Sequence, residues 1–238
     1  MLVRWGPQNW WPAQSRFEVL VGAYLTQNTN WTNVEKAIAN LRRHRVLSIA
    51  GIRELALEEL QEMIRPSGYF RQKAVKLKTF VSFLDQDYSG SLDRMFAQPT
   101  QKLRSELLSL NGVGPETADS ILLYAGNHPV FVVDAYTRRV LERHEIVSPE
   151  TKYEEIRALI EDAITKADPA LLSVKHGSDP RHPVSRMSRT SRSELAQHYN
   201  ELHALIVRLG SLNCRSTPRC EGCPLQQYLP ASGKATSR

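Results

Sequence analysis

The sequence predicts an all-α fold, and two observations carry this prediction. Apolar residues recur every three or four positions, the spacing of one helix face, over most of the chain. A strand-like run occurs once, as PVFVV (129 to 133), and it is too short and too isolated to found a sheet. The helical segments are 15–27, 33–44, 55–64, 71–84, 100–110, 115–125, 135–144, 153–164 and 193–210.

The first of these segments, SRFEVLVGAYLTQ, predicts a helix of the core. Ser15 and Glu18 stand at capping-box spacing, which is typical of a helix start. Five apolar residues then share one face: Phe17, Leu20, Val21, Tyr24 and Leu25. Ser191 with Glu194 predicts a further helix start in the same way.

The composition is that of a globular protein. The 238 residues, 41% of them hydrophobic, can bury one sizeable core or two modest lobes. No apolar run approaches the roughly 20 residues needed to span a bilayer. The N-terminus lacks a signal-peptide pattern. We therefore expect an intracellular, cytoplasmic monomer without a membrane partner.

The formal net charge is +6, and most of the excess lies in one segment. Residues 175–192 hold five basic side chains and one acid: Lys175, Arg181, Arg186, Arg189, Arg192 and Asp179. A basic excess fits a polyanion such as nucleic acid, although many basic proteins bind none. The stretch 173–192 lacks apolar periodicity and predicts a flexible insertion, either a DNA-contacting arm or a plain solvated loop. The tail 230–238 is predicted to be disordered.

A very tight connection between two helices is predicted at 110–115, in LNGVGP. Gly112 and Gly114, on either side of Val113, allow positive φ and close approach of another backbone, and Pro115 suits the first position of a helix. Outward-pointing N–H groups with a helix dipole behind them can hold a phosphate. A tight helix corner without a ligand would use the same residues.

Asp134 follows the apolar run VFVV and begins the helix AYTRRVLERH. An aspartate at such a position is most often an N-cap.

Together, LNGVGPETAD and VFVVDAYTRRV resemble the helix-hairpin-helix (HhH-GPD) DNA glycosylases of the endonuclease III superfamily. The resemblance extends from about Trp10 to Leu229, apart from the insertion, and includes FEVLVGAYLTQNTNWTNVEKAIANL and IRPSGYFRQKAVKL. Within the superfamily, WWP (10 to 12) and LTQNT are most similar to the bacterial 3-methyladenine DNA glycosylase III group.

The resemblance implies two helical lobes with a DNA-binding cleft, one of residues 22–132 containing the hairpin and the other of residues 1–21 plus 133–229. It implies that Asp134 is the catalytic carboxylate, that the hairpin binds a DNA phosphate and that Gln27 enters the space left by a flipped-out base. It also places Trp11, Pro12 and Trp31 against that base, although core packing is the commoner role of a tryptophan.

Bifunctional members of the superfamily carry a lysine two residues after the second hairpin glycine, where this chain has Glu116. We therefore expect a monofunctional, nucleoid-associated glycosylase that leaves an abasic site in double-stranded DNA. The expected lesion is an alkylated purine such as 3-methyladenine, whose positive charge suits aromatic faces. Glu116 is then either a rim carboxylate of the base pocket or a solvated glutamate.

Two other functions remain open at this point. One is a glycosylase for oxidised pyrimidines or for uracil and thymine mismatches, with or without lyase activity. The other is a non-catalytic helix-hairpin-helix module, for which Asp134 would be dispensable.

Three cysteines cluster in the loop 214–223, a pattern typical of metal or cluster ligation. The loop resembles the superfamily's 4Fe-4S loop, which needs four thiolates. Here Cys214, Cys220 and Cys223 stand with Leu229 at the fourth position. A three-ligand cluster, a zinc ion completed by a histidine such as His203, and a loop without metal are the alternatives.

Overall fold

The computed structural model describes residues 1–168 and 182–230, and this part of the chain contains helices and no strand. The all-α prediction is confirmed. The α-helices are α1 (Leu2–Trp5), α2 (Arg16–Leu25), α3 (Trp31–Arg43), α4 (Ile49–Glu54), α5 (Leu57–Met63), α6 (Phe70–Tyr88), α7 (Leu92–Phe96), α8 (Thr100–Ser109), α9 (Pro115–Ser120), α10 (Ala135–Arg143), α11 (Tyr153–Lys166) and α12 (Glu194–Leu212). A π-helical turn, Ile121–Ala125, continues α9, and 3-10 turns lie at Arg65–Ser67, Met187–Arg189 and Gln226–Tyr228.

The chain forms two compact units. The internal unit is Ala13–His128, and the terminal unit combines Met1–Pro12 with Pro129–Arg238. The sequence predicts lobe limits at 22 and 132, whereas the two compact units divide after residues 12 and 128, with α2 packed on α3 and α6 of the internal unit.

Helix α2 is the centre of the internal unit. Ser15 caps it by accepting a hydrogen bond from Glu18 N at 3.1 Å, as the capping-box spacing predicts. Every residue from Phe17 to Leu25 is buried, because α3, α6 and the π-helical turn all pack against α2.

The apolar run VFVV is buried in the terminal unit as extended chain that pairs with no strand among the described residues. Its amides donate to side chains instead, from Phe131 N to Glu161 Oε1 at 2.8 Å and from Val133 N to Tyr153 OH at 3.3 Å. Buried backbone groups need partners, and these side chains supply them in place of a sheet.

The last long helix, α12, begins two residues later than the Ser191 and Glu194 pattern predicts. Its N-cap is Ser193, whose side chain accepts from Ala196 N at 3.3 Å. The spacing of Ser191 to Glu194 is therefore not a capping box in this protein.

Two predicted segments lie partly outside the described residues, namely 173–181 of the insertion and 231–238 of the tail. The rest of the insertion, 182–192, is not the flexible loop that the sequence predicts, since Ser185 and Met187 are buried within the terminal unit. No helix of the described residues is long and apolar enough to cross a membrane.

Candidate active site and DNA interface

The hairpin predicted at 110–115 joins α8 to α9 in the internal unit. Gly112 has a φ of +78°, in the left-handed region, and a Cβ there would lie 2.1 Å from the Lys76 side chain. Gly114, the N-cap of α9, has open space where a Cβ would stand. Both glycines are exposed, whereas Val113 between them is buried. The middle residue therefore anchors the turn, and the glycines present its backbone outward.

A buried ion pair joins the two helices of the hairpin. Arg104 on α8 donates to both carboxylate oxygens of Asp119 on α9, from Nε to Oδ1 at 2.6 Å and from Nη2 to Oδ2 at 3.0 Å. A bidentate pair fixes direction as well as distance, so it sets how α9 leaves the turn. Sequence reasoning missed this pair, because no local spacing distinguishes it from surface charges.

Gln27, the predicted DNA wedge, is hydrogen-bonded to the hairpin. Its Nε2 donates to Gly112 O at 3.1 Å and to Thr117 Oγ1 at 3.0 Å. Its Oε1 accepts from Lys76 Nζ at 2.6 Å. The structure thus brings together Gln27 and the hairpin, two features far apart in sequence. The wedge role stays a prediction, and it requires Gln27 to exchange these partners for DNA.

Trp31 and Glu116 lie in the first turns of two helices of this unit. Trp31 begins α3, and its indole Nε1 donates to Glu35 Oε1 at 3.0 Å. Glu116 is exposed in the first turn of α9, where a carboxylate interacts favourably with the helix dipole. Their contacts with a base stay predictions.

Asp134 is the N-cap of α10 in the terminal unit. Its Oδ1 accepts from Thr137 N at 2.7 Å, and its Oδ2 lies 3.6 Å from His203 Nε2. Only 13% of the aspartate side chain is exposed. The N-cap role suggested by its sequence position is therefore real, and it occupies one carboxylate oxygen.

The electrostatic surroundings of Asp134 favour its ionised form. Burial by itself raises the pKa of this carboxyl, but the charge of His203 and the hydrogen bonds from His203 and Thr137 outweigh burial. The pKa of Asp134 therefore falls below its ordinary value. A shielded carboxylate that stays charged is suited to stabilise a cation that develops beside it.

His203 reaches Asp134 because α12 packs very closely on α10. Gly210 lies two helical turns after His203 on α12, and a Cβ at Gly210 would stand 2.2 Å from the ring of Tyr136 on α10. His203 itself is buried, with its ring edge-on to Phe131 at a centroid distance of 6.0 Å. The sequence offered His203 as a zinc ligand; the structure places it at the aspartate instead.

Trp11 and Pro12 lie at the end of Met1–Pro12, the N-terminal part of the terminal unit. Trp11 is 5% exposed, and its ring is 5.2 Å from that of Trp10 at an angle of 61°. Pro12 is half-buried. Core packing therefore accounts for most of the Trp11 surface, and the contact of either residue with a base stays a prediction.

Comparison with known proteins identifies the family. The model of the HhH-GPD superfamily base excision DNA repair proteins matches residues 21–166. The chain belongs to the HhH-GPD superfamily. A protein of Methanocaldococcus jannaschii that is named a DNA repair glycosylase is 40% identical over 230 residues, which are 96% of this chain and 91% of that relative. The chain is thus an enzyme, a DNA glycosylase of the endonuclease III superfamily.

Three further similarities bear on the superfamily and the fold. The 3-methyladenine DNA glycosylase of H. pylori, solved with 1,N6-ethenoadenine, has a TM-score of 0.71 at 29% identity, over 86% of this chain and 89% of that one. The chloroplastic endonuclease III homolog 1 of Arabidopsis thaliana is 26% identical over 234 residues, 95% of this chain but 52% of that longer protein. A DNA complex of endonuclease III shares the fold, with a TM-score of 0.66 at 21% identity over 91% of this chain and 84% of that one.

The cysteine loop of this HhH-GPD protein does not match a 4Fe-4S site. Cys214, Cys220 and Cys223 line one pocket together with His144 and Leu229. No group of three or more His, Cys, Asp or Glu residues in the described chain is arranged to hold a metal ion. The pocket offers three thiols where the cluster needs four, and an aliphatic side chain stands at the fourth position.

The thiol of Cys223 is partly buried beside the other two cysteines. Burial raises the pKa of Cys223; a hydrogen bond from Leu225 opposes this effect, and the other two cysteines reinforce it.

Two arginines of α10 hold the loop. Arg143 donates to Arg215 O at 2.5 Å, to Ser216 O at 2.8 Å and to the sulfur of Cys214 at 3.3 Å. Arg139 donates from Nε to Cys214 O at 2.7 Å. These bonds satisfy the carbonyls that follow the end of α12, so α10 supplies the loop with hydrogen-bond donors.

Proposed function

We propose that this DNA glycosylase is monofunctional and removes an alkylated purine of the 3-methyladenine class from duplex DNA. The observation that carries the proposal is Asp134, a shielded carboxylate held in its ionised form by His203 and Thr137. No lysine lies between 115 and 127, where bifunctional members have theirs by the resemblance. Hydrolysis by water, rather than a Schiff base, follows from that combination.

The chemistry assigned to Asp134 is electrostatic. A base must leave the stack before an enzyme can reach its glycosidic bond. When that bond breaks, its electron pair leaves with the base and positive charge develops on the sugar. Asp134 stabilises this charge, and water adds to the sugar carbon and loses a proton, which leaves an abasic site. One preorganised group of this kind supplies roughly 3 to 4 kcal/mol.

The chemistry of the lesion supports the substrate class. An adenine nucleotide methylated at N3 carries a positive charge and departs as a neutral base, so it needs no general acid. The partly buried Trp31 can attract such a cation with its ring, an effect of about 0.5 to 2 kcal/mol. The exposed carboxylate of Glu116 favours a cation as well. The likeness to the H. pylori 3-methyladenine glycosylase supports the same class.

The hairpin and Gln27 are assigned to DNA. Gly112 and Gly114 present backbone without a side chain, and phosphate contacts of this type position a protein without specifying sequence. Gln27 lies against the hairpin, so a DNA strand held there would meet its amide. We assign the hairpin to the phosphate and Gln27 to the space left by the base.

The test is base release from matched duplexes that carry a methylated purine, uracil or thymine opposite guanine, or an oxidised pyrimidine, each examined before and after hot alkali. Breaks on the methylated duplex that appear only after alkali are expected. Breaks without alkali would contradict monofunctional chemistry, and release from another duplex alone would contradict the substrate class. Binding without release on every duplex would favour a non-catalytic module.

Glu116→Gln separates the two roles of Glu116. If its carboxylate favours cationic bases, release of the methylated purine falls and release of a neutral lesion does not. An equal effect on both lesions, or none on either, would leave Glu116 as a solvated helix residue. Exposed Glu58→Gln is the matched control, since it also removes one acid from the first turn of a helix.

A further inference from the structure

The turn from Ser185 to Arg189, within the predicted insertion, is folded and closed on itself. Ser185 N donates to Ser188 Oγ at 2.8 Å, and Ser188 N donates to Ser185 Oγ at 3.1 Å. Met187 is 4% exposed and fixes the turn to the terminal unit. Arg192 donates to Met187 O at 2.9 Å and closes the far side. This segment, the basic turn, is therefore a structured surface.

The basic turn is attached to the tryptophan segment. The buried Oγ of Ser185 donates to Trp11 O at 3.0 Å. Three residues before Ser185, the carbonyl of His182 accepts from Asn9 Nδ2 at 3.0 Å, and the ring of His182 is 5.2 Å from that of Trp10. A movement of either segment therefore disturbs the other.

Arg186 and Arg189 are the exposed cations of the basic turn. In a 3-10 helix, residues three apart lie on the same side, with about 6 Å of rise between them. Neither arginine forms an ion pair with a carboxylate of the described residues, and no acid occurs from 182 to 193. The buried Ser185 and Met187 face the protein, so the turn presents two cations to solvent from a rigid base.

We propose that the basic turn is a DNA-backbone contact, in which Arg186 and Arg189 bind phosphates of one strand while Ser185 holds the turn against the tryptophan segment. This inference rests on the proposed function, since it takes duplex DNA as the partner. Two cations at a fixed spacing suit a DNA strand, which carries phosphate charges at regular intervals, better than they suit a single anion. The contact fixes position on DNA and carries no base preference.

The test measures binding to a duplex that carries a tetrahydrofuran abasic-site analogue, by fluorescence anisotropy over a range of salt concentrations. Each phosphate contact adds about 0.9 to the slope of log K against log salt. Arg186→Gln with Arg189→Gln should reduce the slope by about 2. Arg43→Gln with Arg45→Gln is the matched control, since it removes the same charge from two exposed arginines of the internal unit and should leave the slope unchanged.

The possible outcomes separate this inference from the proposed function. An unchanged slope in the Arg186 and Arg189 variant, or an equal loss in the control, overturns the contact while salt-dependent binding of the wild type keeps DNA as the partner. Failure of the wild type to bind any duplex overturns both.

Ser185→Ala tests the attachment without a change of charge. If Ser185 positions the turn, the slope falls toward that of the arginine variant although both arginines remain. Circular dichroism checks that Ser185→Ala is folded: its spectrum at the assay temperature and its melting midpoint should equal those of the wild type. A slope equal to that of the wild type overturns the positioning role. If the melting midpoint of Ser185→Ala is lower, the assay is repeated with Ser185→Thr, which keeps the hydroxyl and should restore the slope.

Discussion

His203 Nε2 lies 3.6 Å from Asp134 Oδ2, while Asp134 Oδ1 caps α10 by accepting a hydrogen bond from Thr137 N. The two carboxylate oxygens therefore face groups of two different helices. Gly210 makes this possible, because only a residue without a Cβ lets α12 approach Tyr136 so closely. The charge state of the proposed catalytic carboxylate thus depends on helix packing.

Asp134→Asn should abolish most base release and leave DNA binding intact. The amide keeps an oxygen for the Thr137 bond but cannot carry charge, so the expected loss is roughly 100- to 1000-fold, or about 3 to 4 kcal/mol. Single-turnover release from the methylated duplex measures it. A loss below tenfold would contradict the catalytic assignment.

His203→Gln should raise the pKa of Asp134. Loss of the imidazole removes the interactions of His203 that favour the carboxylate, so the aspartate protonates at a higher pH than in the wild type. Since the wild-type pKa lies below its ordinary value, the wild-type rate should show no acid limb from Asp134 above pH 4 or so. Carboxyl NMR titration of both proteins checks the direction. An identical Asp134 titration would show that His203 only packs.

Glu201 should make the stability of the fold depend on pH near neutrality. Burial raises the pKa of this carboxyl from 4.5 to about 7, in spite of the hydrogen bond from Gln8 N at 2.7 Å. The folded state is favoured by the neutral form of Glu201, so this contribution to the free energy of unfolding is complete below pH 4.5 and is lost as the pH rises through about 7. Glu201→Gln is neutral at all pH values, so its melting temperature should rise relative to that of the wild type as the pH increases from 5 to 8.

The gain should amount to no more than a few kcal/mol, since about 1.4 kcal/mol corresponds to each pH unit between pH 4.5 and about 7. Glu194→Gln, on the exposed start of the same helix, should show no such trend. A constant difference between Glu201→Gln and the wild type across this range would exclude a raised pKa.

Arg104→Met should destabilise the hairpin by about 3 to 5 kcal/mol, because it removes the Arg104 guanidinium from the buried Asp119 carboxylate. Arg104→Met combined with Asp119→Leu should recover much of the loss. Chemical denaturation measures both. The exposed pair of Arg16 and Asp93 is the control, and Asp93→Asn should cost less than about 1 kcal/mol. Equal costs at the two sites would refute the role of the buried pair.

Arg143→Met should destabilise the cysteine loop more than the loss of its thiols does. It removes three hydrogen bonds, at a cost of roughly 2 to 4 kcal/mol, whereas Cys220→Ser with Cys223→Ser should cost about 1 kcal/mol or less. Thermal unfolding with and without a chelator, together with elemental analysis for iron and zinc, measures this. One metal ion or more per chain, or a chelator effect, would contradict a loop held by arginines.

Local patterns in the sequence were enough for the helices and for the hairpin. Periodicity located the core helix, because its apolar spacing is read within one segment, and Ser15 with Glu18 fixed its start. The same kind of reasoning misplaced the start of α12, where Ser193 caps instead of Ser191. Several serines near a helix start compete for the cap, and packing of the first turn decides between them.

What the sequence by itself determined is the all-α class, the superfamily and the residues that stand at its motif positions, since each depends on short-range order along the chain. Only the tertiary structure decided the partners of those residues: His203 at Asp134, Lys76 at Gln27, and the arginines of α10 at the cysteine loop. These pairs join positions far apart in sequence. Spacing carries no information about such contacts, which arise when apolar faces pack and buried polar groups must then find a partner.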